Sequence, residues 1–271
     1  MRFGLIVRAF TSPYLNRKLI FSLTRRDISQ RYRSSALGPV WLFAQPLLLL
    51  ALYSFVFQVV LRARWGIEGA TGSPVPFGLI LFVGLVLHTI LSDTLVRAPA
   101  TITAQESLVK RVIFPLEILP VVNVASSLMT AFLSFIILTA AMIVFAGFLY
   151  PTSIMLLVPI LGLALFTTGL GWILAALGVY LRDLNQIMPL FSTLLLFTAP
   201  VVYPRSMVPD QFQFLLAINP LTIPVEWSRA ILFEGAIWHP GAEIFLILSA
   251  VVYVIGYGFF RMLRREFADV L

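Results

Sequence analysis

The sequence predicts an all-α, polytopic membrane protein with six transmembrane helices, and three observations carry that expectation. The 64 residues from 118 to 181 contain no Asp, Glu, Lys, Arg or His. One helix of that length would run about 96 Å at 1.5 Å per residue, against a hydrocarbon core of roughly 30 Å. The run therefore crosses twice, and Tyr150-Pro151-Thr152 is its natural turn. Hydrophobic residues make up 60% of the chain and charged residues 11%, with a mean hydropathy of +0.97, far from the averages of globular proteins. The charges that do occur cluster at the ends of apolar segments, as membrane topology requires.

Taken in order, the first 35 residues hold Arg2, Arg8, Arg17, Lys18, Arg25, Arg26, Arg31 and Arg33. They leave no uninterrupted apolar stretch of the kind a signal peptide needs. Over 15–35, Phe21, Ile28 and Tyr32 fall in one narrow stripe at helical spacing, with Leu19 and Leu23 off it. That suits an N-terminal interfacial amphipathic helix in the headgroup plane; a solvated basic arm is the other reading. Residues 1–35 are then a cytoplasmic or interfacial segment and 36–271 a six-helix membrane domain, one domain over 1–271.

The spans fall at about 37–61, 75–97, 119–148, 154–179, 187–204 and 242–262. In the first, Pro46 frees the Leu42 carbonyl and is expected to kink the helix. Phe43, Tyr53 and Phe57 lie within about an 80° arc at 100° per residue, a stripe that either lines a pore or packs. In the second, Asp93 is an intramembrane acid, and Arg97 one turn later is its expected ion-pair partner. An even number of spans puts both termini on one side. With that side, 15 of the 19 Lys and Arg residues face the same way, which marks the cytoplasm.

Two connections stand out. In the loop 97–117, Thr103-Ala104-Gln105-Glu106 fits a capping box. A helix from there should stop before Pro115, with Glu106 and Lys110 as an i,i+4 pair. It is either a helix on the lipid surface or a lever that docks in a groove of a cytoplasmic partner. The connection 205–241 carries two apolar pieces too short to cross, broken at Asn219-Pro220 and Pro224. They form a cap on the outer surface, or re-entrant half-helices between spans five and six. Irregular backbone survives at membrane depth only where protein or a wet cavity satisfies it.

Several chemistries are excluded by the residues themselves. No cysteine is present and only two histidines, His88 and His239, too scattered to form a metal site. The only lysines, Lys18 and Lys110, follow no Gly-x-x-x-x-Gly, so the chain has no P-loop. The net charge of +7 is spread over segment ends rather than gathered on a recognition helix, which argues against nucleic acid.

Four stretches carry a resemblance. They are Tyr32–Leu61 (YRSSALGPVWLFAQPLLLLALYSFVFQVVL), Ser107–Pro120 (SLVKRVIFPLEILP), Leu181–Pro204 (LRDLNQIMPLFSTLLLFTAPVVYP) and Ile218–Leu232 (INPLTIPVEWSRAIL). Together, in this order, the sequence resembles the ABC-2 type permeases that export polysaccharides such as O-antigen, capsule and teichoic acid. The resemblance implies a homodimeric transport subunit in the bacterial inner membrane, with no catalytic site or cofactor of its own. ATP and Mg would sit on two separate P-loop ATPase subunits. The substrate would be a lipid-linked glycan, loaded from among membrane lipids.

The resemblance also distributes roles. Coupling to the ATPase falls to the 103–114 helix and the next short contact, that is Thr103, Glu106, Lys110, Arg111, Phe114, Pro115, Arg182 and Asp183. The outer gate falls to Asn219, Pro220, Pro224, Glu226 and Arg229. Channel lining is expected of Phe43, Tyr53 and Phe57, because aromatic rings stack on the apolar faces of sugars. Arg25, Arg26, Arg31 and Arg33 meet either a lipid diphosphate or ordinary anionic headgroups. A permease for a small molecule or drug, and an ion-coupled secondary carrier, are the competing readings.

Overall fold

Every transmembrane pass needs its backbone hydrogen bonds satisfied within the protein, and helices are how this chain does it. The computed structural model describes residues 2–33, 35, 37–62, 66–67, 74–105 and 114–270. Among them all regular elements are helical. Helices α1 (Arg2–Leu15) and α2 (Arg17–Tyr32) come first. Helix α3 (Trp41–Ser54) runs through Pro46 and ends in a π-turn, Phe55–Val60. Helix α4 is Phe77–Arg97. Helix α5 (Ile118–Ala141) also ends in a π-turn, Met142–Ala146, which Gly147 closes with a φ of 73°. A 3-10 turn at Pro151–Leu156 leads into α6 (Leu157–Tyr180). Helix α7 is Leu184–Thr198, followed by the short α8 (Gln213–Ile218) and α9 (Thr222–Arg229). Helix α10 (Ala242–Leu263) and the terminal α11 (Phe267–Val270) complete the chain.

Among the described residues, five helical stretches are long and apolar enough to cross a bilayer: Trp41–Val60, Phe77–Arg97, Ile118–Ala146, Pro151–Tyr180 and Ala242–Glu266. The uncharged run does divide near Tyr150, as expected. Helix α4 is the most enclosed of the five and packs against α3, α5, α6 and α7. Helix α3 lies at the margin and turns Leu47, Leu48, Leu52 and Phe55 outward. Helices α1 and α2 pack across one end of the bundle, against α10 and α5. We call this the basic end.

Helices α6 and α10 meet most closely. A Cβ at Gly162 would come within 2.7 Å of the Phe245 ring. One at Gly169 would strike the Val252 carbonyl, and one at Gly256 the Gly169 carbonyl. The steps from 162 to 169 and from 245 to 252 are equal, so two parallel helices keep the same faces together. Bare glycines let the backbones approach, which is how apolar helices gain dispersion energy in lipid.

The fifth pass departs from the expected 187–204. Helix α7 stops at Thr198 after 15 residues, about 22 Å at 1.5 Å per residue, and the backbone then turns extended at Ala199. The physical reason is a substitute for the missing helical turn. Arg229, 5% exposed, donates to the Pro200 carbonyl, to Val201 O (2.7 Å) and to Ile80 O of α4 (3.0 Å). Gly84 makes room for it, since a Cβ there would lie 2.9 Å from Arg229 Nη2. Asn219 closes the same helix end: its Nδ2 donates to Leu195 O (2.9 Å) and Thr198 Oγ1 (2.8 Å).

Two expectations follow. Gly256→Val should cost about 1–3 kcal/mol through overpacking, read as a lowered thermal midpoint in detergent, while Ile255→Ala on the outward face should change it little. Arg229→Leu should strand three carbonyls at about 1–3 kcal/mol each, and Arg229→Lys should restore only part of that, because an ammonium lacks the planar fork. An unchanged midpoint for Arg229→Leu would remove the clamp from this account.

Candidate functional site

Besides a His88, Ser92 and Ser192 contact between α4 and α7, three polar clusters stand out among the described residues, two at the basic end and one at the opposite end. The first is a lattice of charges between α2, α4 and α5. Helix α2 presents Asp27 and Arg31, an i,i+4 pair at 3.2 Å. Arg31 also reaches Asp93 of α4 at 3.1 Å, and Arg97 of α4 reaches Asp27 at 3.1 Å. Arg97 Nη2 donates to Asn123 O of α5 (2.9 Å), and Ser127 Oγ donates to Asp93 (3.2 Å). The expected pairing of Asp93 with Arg97 is therefore replaced by a relay. Helix α2 lies across the ends of α4 and α5 and brings its own acid and base between them, so Arg97 takes Asp27 and Asp93 takes Arg31. Burial works to raise the Asp27 carboxyl. The neighbouring Ser126 hydroxyl and the Arg97 and Arg31 guanidiniums outweigh it and hold the group below its ordinary 3.8.

The second cluster is built on Glu117, just before α5. Its carboxylate accepts from Arg264 (2.5 Å) and from Ser12 of α1 (3.3 Å), and its carbonyl accepts from Trp172 Nε1 of α6 (2.8 Å). Arg264 also donates to Phe114 O (3.1 Å). Both feet of the loop between α4 and α5 are thus fastened. On the descending side, Asn123 Nδ2 donates to Thr101 Oγ1 (2.6 Å), and Gly178 of α6 lies so close to Pro99 that a Cβ would strike its carbonyl. On the returning side, Phe114 and Pro115 are half-buried and held through Arg264.

Of the residues expected to couple, Thr103 sits in a 3-10 turn, its hydroxyl donating to Ala100 O (3.2 Å). Glu106, Lys110, Arg111 and the helix expected over them lie outside the described residues. Arg182 and Asp183 are exposed in the tight turn between α6 and α7, at the same end as Pro99. Of the four arginines expected at the headgroups, Arg25, Arg26 and Arg33 are exposed, whereas Arg31 is engaged by its two carboxylates. The three aromatics of α3 separate. Tyr53 and Phe57 neighbour each other at 6.3 Å, and Phe57 stacks on Phe77 at 5.0 Å. Phe43 instead lines a groove with α2 and α5.

The third cluster lies at the opposite end, where the two short helices expected between spans five and six are α8 and α9. The break falls at Asn219-Pro220, with Leu221 N donating back to Asn219 Oδ1 (2.9 Å) and Thr222 Oγ1 to Leu216 O (2.6 Å). Pro224 is buried one turn on. Glu226 faces Arg205 at 3.7 Å and His239 at 3.9 Å. These groups and Arg229 border a cavity of about 310 Å³. Of the five residues expected at an outer gate, Asn219 and Arg229 hold the end of α7 and Glu226 borders the adjoining cavity, while Pro220 lies in the break and Pro224 in the first turn of α9.

Sequence reasoning missed Asp27, Asn123, Glu117 and Arg264. Asp27 had a signal: it is the only acid in the first 67 residues, four before an arginine. The others pair across distances of 22 to 147 residues that no local pattern spells out. Among the described residues no group of three or more His, Cys, Asp or Glu could hold a metal ion.

Comparison with known proteins agrees with this architecture. Residues 18–233 match the family profile described as ABC-2 type transporter. The chain is 31% identical over 272 residues to the O-antigen export system permease protein RfbA of Myxococcus xanthus, covering 97% of this chain and 99% of the relative. It is 25% identical over 256 residues to the protein of the same name from Klebsiella pneumoniae (93% and 95%). It is 23% identical over 248 residues to the polysialic acid transport protein KpsM of Escherichia coli (89% and 91%). With most of its length matched by the profile, this multi-pass membrane protein belongs to the ABC-2 type transporter family.

Proposed function

We propose that this chain is the permease subunit of an ATP-driven exporter that moves a lipid-linked polysaccharide across the bacterial cytoplasmic membrane. The observation that carries the reading is similarity along nearly the whole chain to relatives named as O-antigen export permeases. Two features support it. The chain has no P-loop lysine, so the nucleotide must be bound by another polypeptide. Its polar groups serve mainly to fasten helices and loop feet, as a force-transmitting frame requires.

In this reading two copies enclose the conduit, and two P-loop ATPase subunits, with ATP and Mg, dock at the basic end. That end is cytoplasmic, since it holds most of the Lys and Arg residues. Closure of the ATPases pushes on the 103–115 segment and on Arg182 and Asp183. A push there acts on elements already tied together: Arg97 links the descending foot to α2 and α5, and Glu117 links the returning foot to α1, α6 and Arg264. Helix α4 carries the displacement to its far end, where the Ile80 carbonyl is held by Arg229 of α9. The outer half-helices therefore feel motion of α4 directly.

Arg25, Arg26 and Arg33 remain available to attract an anionic carrier lipid. Tyr53 and Phe57 supply aromatic surface on which sugar rings can stack at the mouth.

Lys110→Glu with Arg111→Glu tests the lever. The double variant should capture the partner ATPase about tenfold more weakly, or retain it and hydrolyse ATP without export, since reversed charges at an interface repel as well as fail to attract. Co-purification and glycan export, measured side by side, separate the two outcomes. Unchanged binding together with unchanged export would exclude this segment as the coupling element.

A further inference from the structure

A large concavity lies where Phe43 faces α2 and α5. It is a groove of about 870 Å³ between α2, α3 and α5 at the basic end, within the range of specific ligand sites. Its walls are apolar, with Ile20 and Phe21 from α2, Leu42 and Phe43 from α3, and Leu128 and Phe132 from α5. Of the polar residues that line it along α2, three bear on its occupant, since Ser29 is satisfied by the Arg25 carbonyl. Arg17 rests over the Tyr14 ring at 4.6 Å, and neither Arg17 nor Arg25 has an acidic partner among the described residues. The third is Thr24, 9% exposed, whose hydroxyl has no hydrogen-bond partner among the described residues. Several helix hydroxyls give their proton to the carbonyl four residues back, as Thr89, Thr139, Thr168 and Ser249 do, while others, Ser126 and Thr167 among them, do not. Thr24 keeps its own.

The contrast with the other side of α2 is informative. There, Arg31 and Arg97 are matched by Asp27 and Asp93; on the groove side neither of the two cations has an acidic partner among the described residues. An occupant must therefore bring an anion to the rim and a long apolar body to the walls. We propose that this groove holds one anionic phospholipid of the surrounding leaflet, its phosphate between Arg17, Arg25 and the Thr24 hydroxyl and an acyl chain along α3 and α5. Two of the groove's three helices, α2 and α5, are tied together through Arg97 of α4, so this wall belongs to the fixed frame and suits a resident lipid rather than a transported one. The inference requires only that the chain spans a membrane; it does not depend on what is exported.

The test uses the purified full chain in nanodiscs of phosphatidylcholine, with and without phosphatidylglycerol, and native mass spectrometry of retained lipid. Wild type should retain one phosphatidylglycerol in preference to phosphatidylcholine and unfold at a higher temperature when it is present. Arg17→Gln and Arg25→Gln are exposed substitutions that should each weaken retention about fivefold. Thr24→Val should lower it and Thr24→Ser restore it. Equal retention of both lipids, or none, would overturn the proposal. So would displacement of phosphatidylglycerol by an equimolar polyprenyl diphosphate, which would make the groove a cargo site. A cross-linked dimer through Phe21→Cys that excludes lipid would assign the groove to a second copy instead, and would equally overturn it.

Discussion

Two arginines from distant parts of the chain grip the two ends of α4. Arg31 comes from α2 and takes Asp93; Arg229 comes from α9 and takes the Ile80 carbonyl. Between these attachments α4 is the most enclosed helix of the bundle. The constraint behind both is that polar groups within a bilayer cannot turn to water and must be answered by protein. Each end of α4 is accordingly a junction. One joins α2, α4 and α5, the other joins α4, α9 and the unwound end of α7. Removing Arg31 leaves two half-buried carboxylates without that donor, and removing Arg229 leaves three buried carbonyls without one, which makes the junctions cooperative rather than pairwise.

The same constraint explains why a short fifth helix is tolerated. Helix α7 is too brief to cross alone, yet the backbone beyond Thr198 is covered by the Arg229 fork and by Asn219. An irregular pass held by a side chain from an adjacent half-helix can change shape at lower cost than a continuous helix, because what must give is one guanidinium rather than a ladder of intrahelical bonds. Together with the Glu226, Arg205 and His239 group around the neighbouring cavity, this gives the end opposite the loop a hinge-like build. The basic end is fastened far more heavily.

Much of this was legible in the sequence. The apolar runs locate the passes because a bilayer sets their length, and Asn219-Pro220 locates the break between α8 and α9 because proline cannot continue a hydrogen-bonded ladder, whereas Pro224 sits in the first turn of α9, where proline is tolerated. The pairing of Asp93 with Arg97 was misread, since a one-turn spacing is visible in sequence while Asp27 arrives from a helix 66 residues earlier. The end of α7 was misplaced for a related reason: Pro200 and Val201 are held through their carbonyls, and a carbonyl looks the same at every position. Tyr53 and Phe57 could be put on one face by counting, but the stacking of Phe57 on Phe77 depends on how α3 leans on α4.

The proposed function stands on force being supplied at the loop between α4 and α5. The most direct measurement compares glycan movement in sealed vesicles that hold this polypeptide alone with movement in vesicles that also hold a P-loop ATPase partner. The account predicts translocation of a lipid-linked glycan only with the partner and ATP both present. Translocation by the lone polypeptide, driven by an ion gradient, would contradict it.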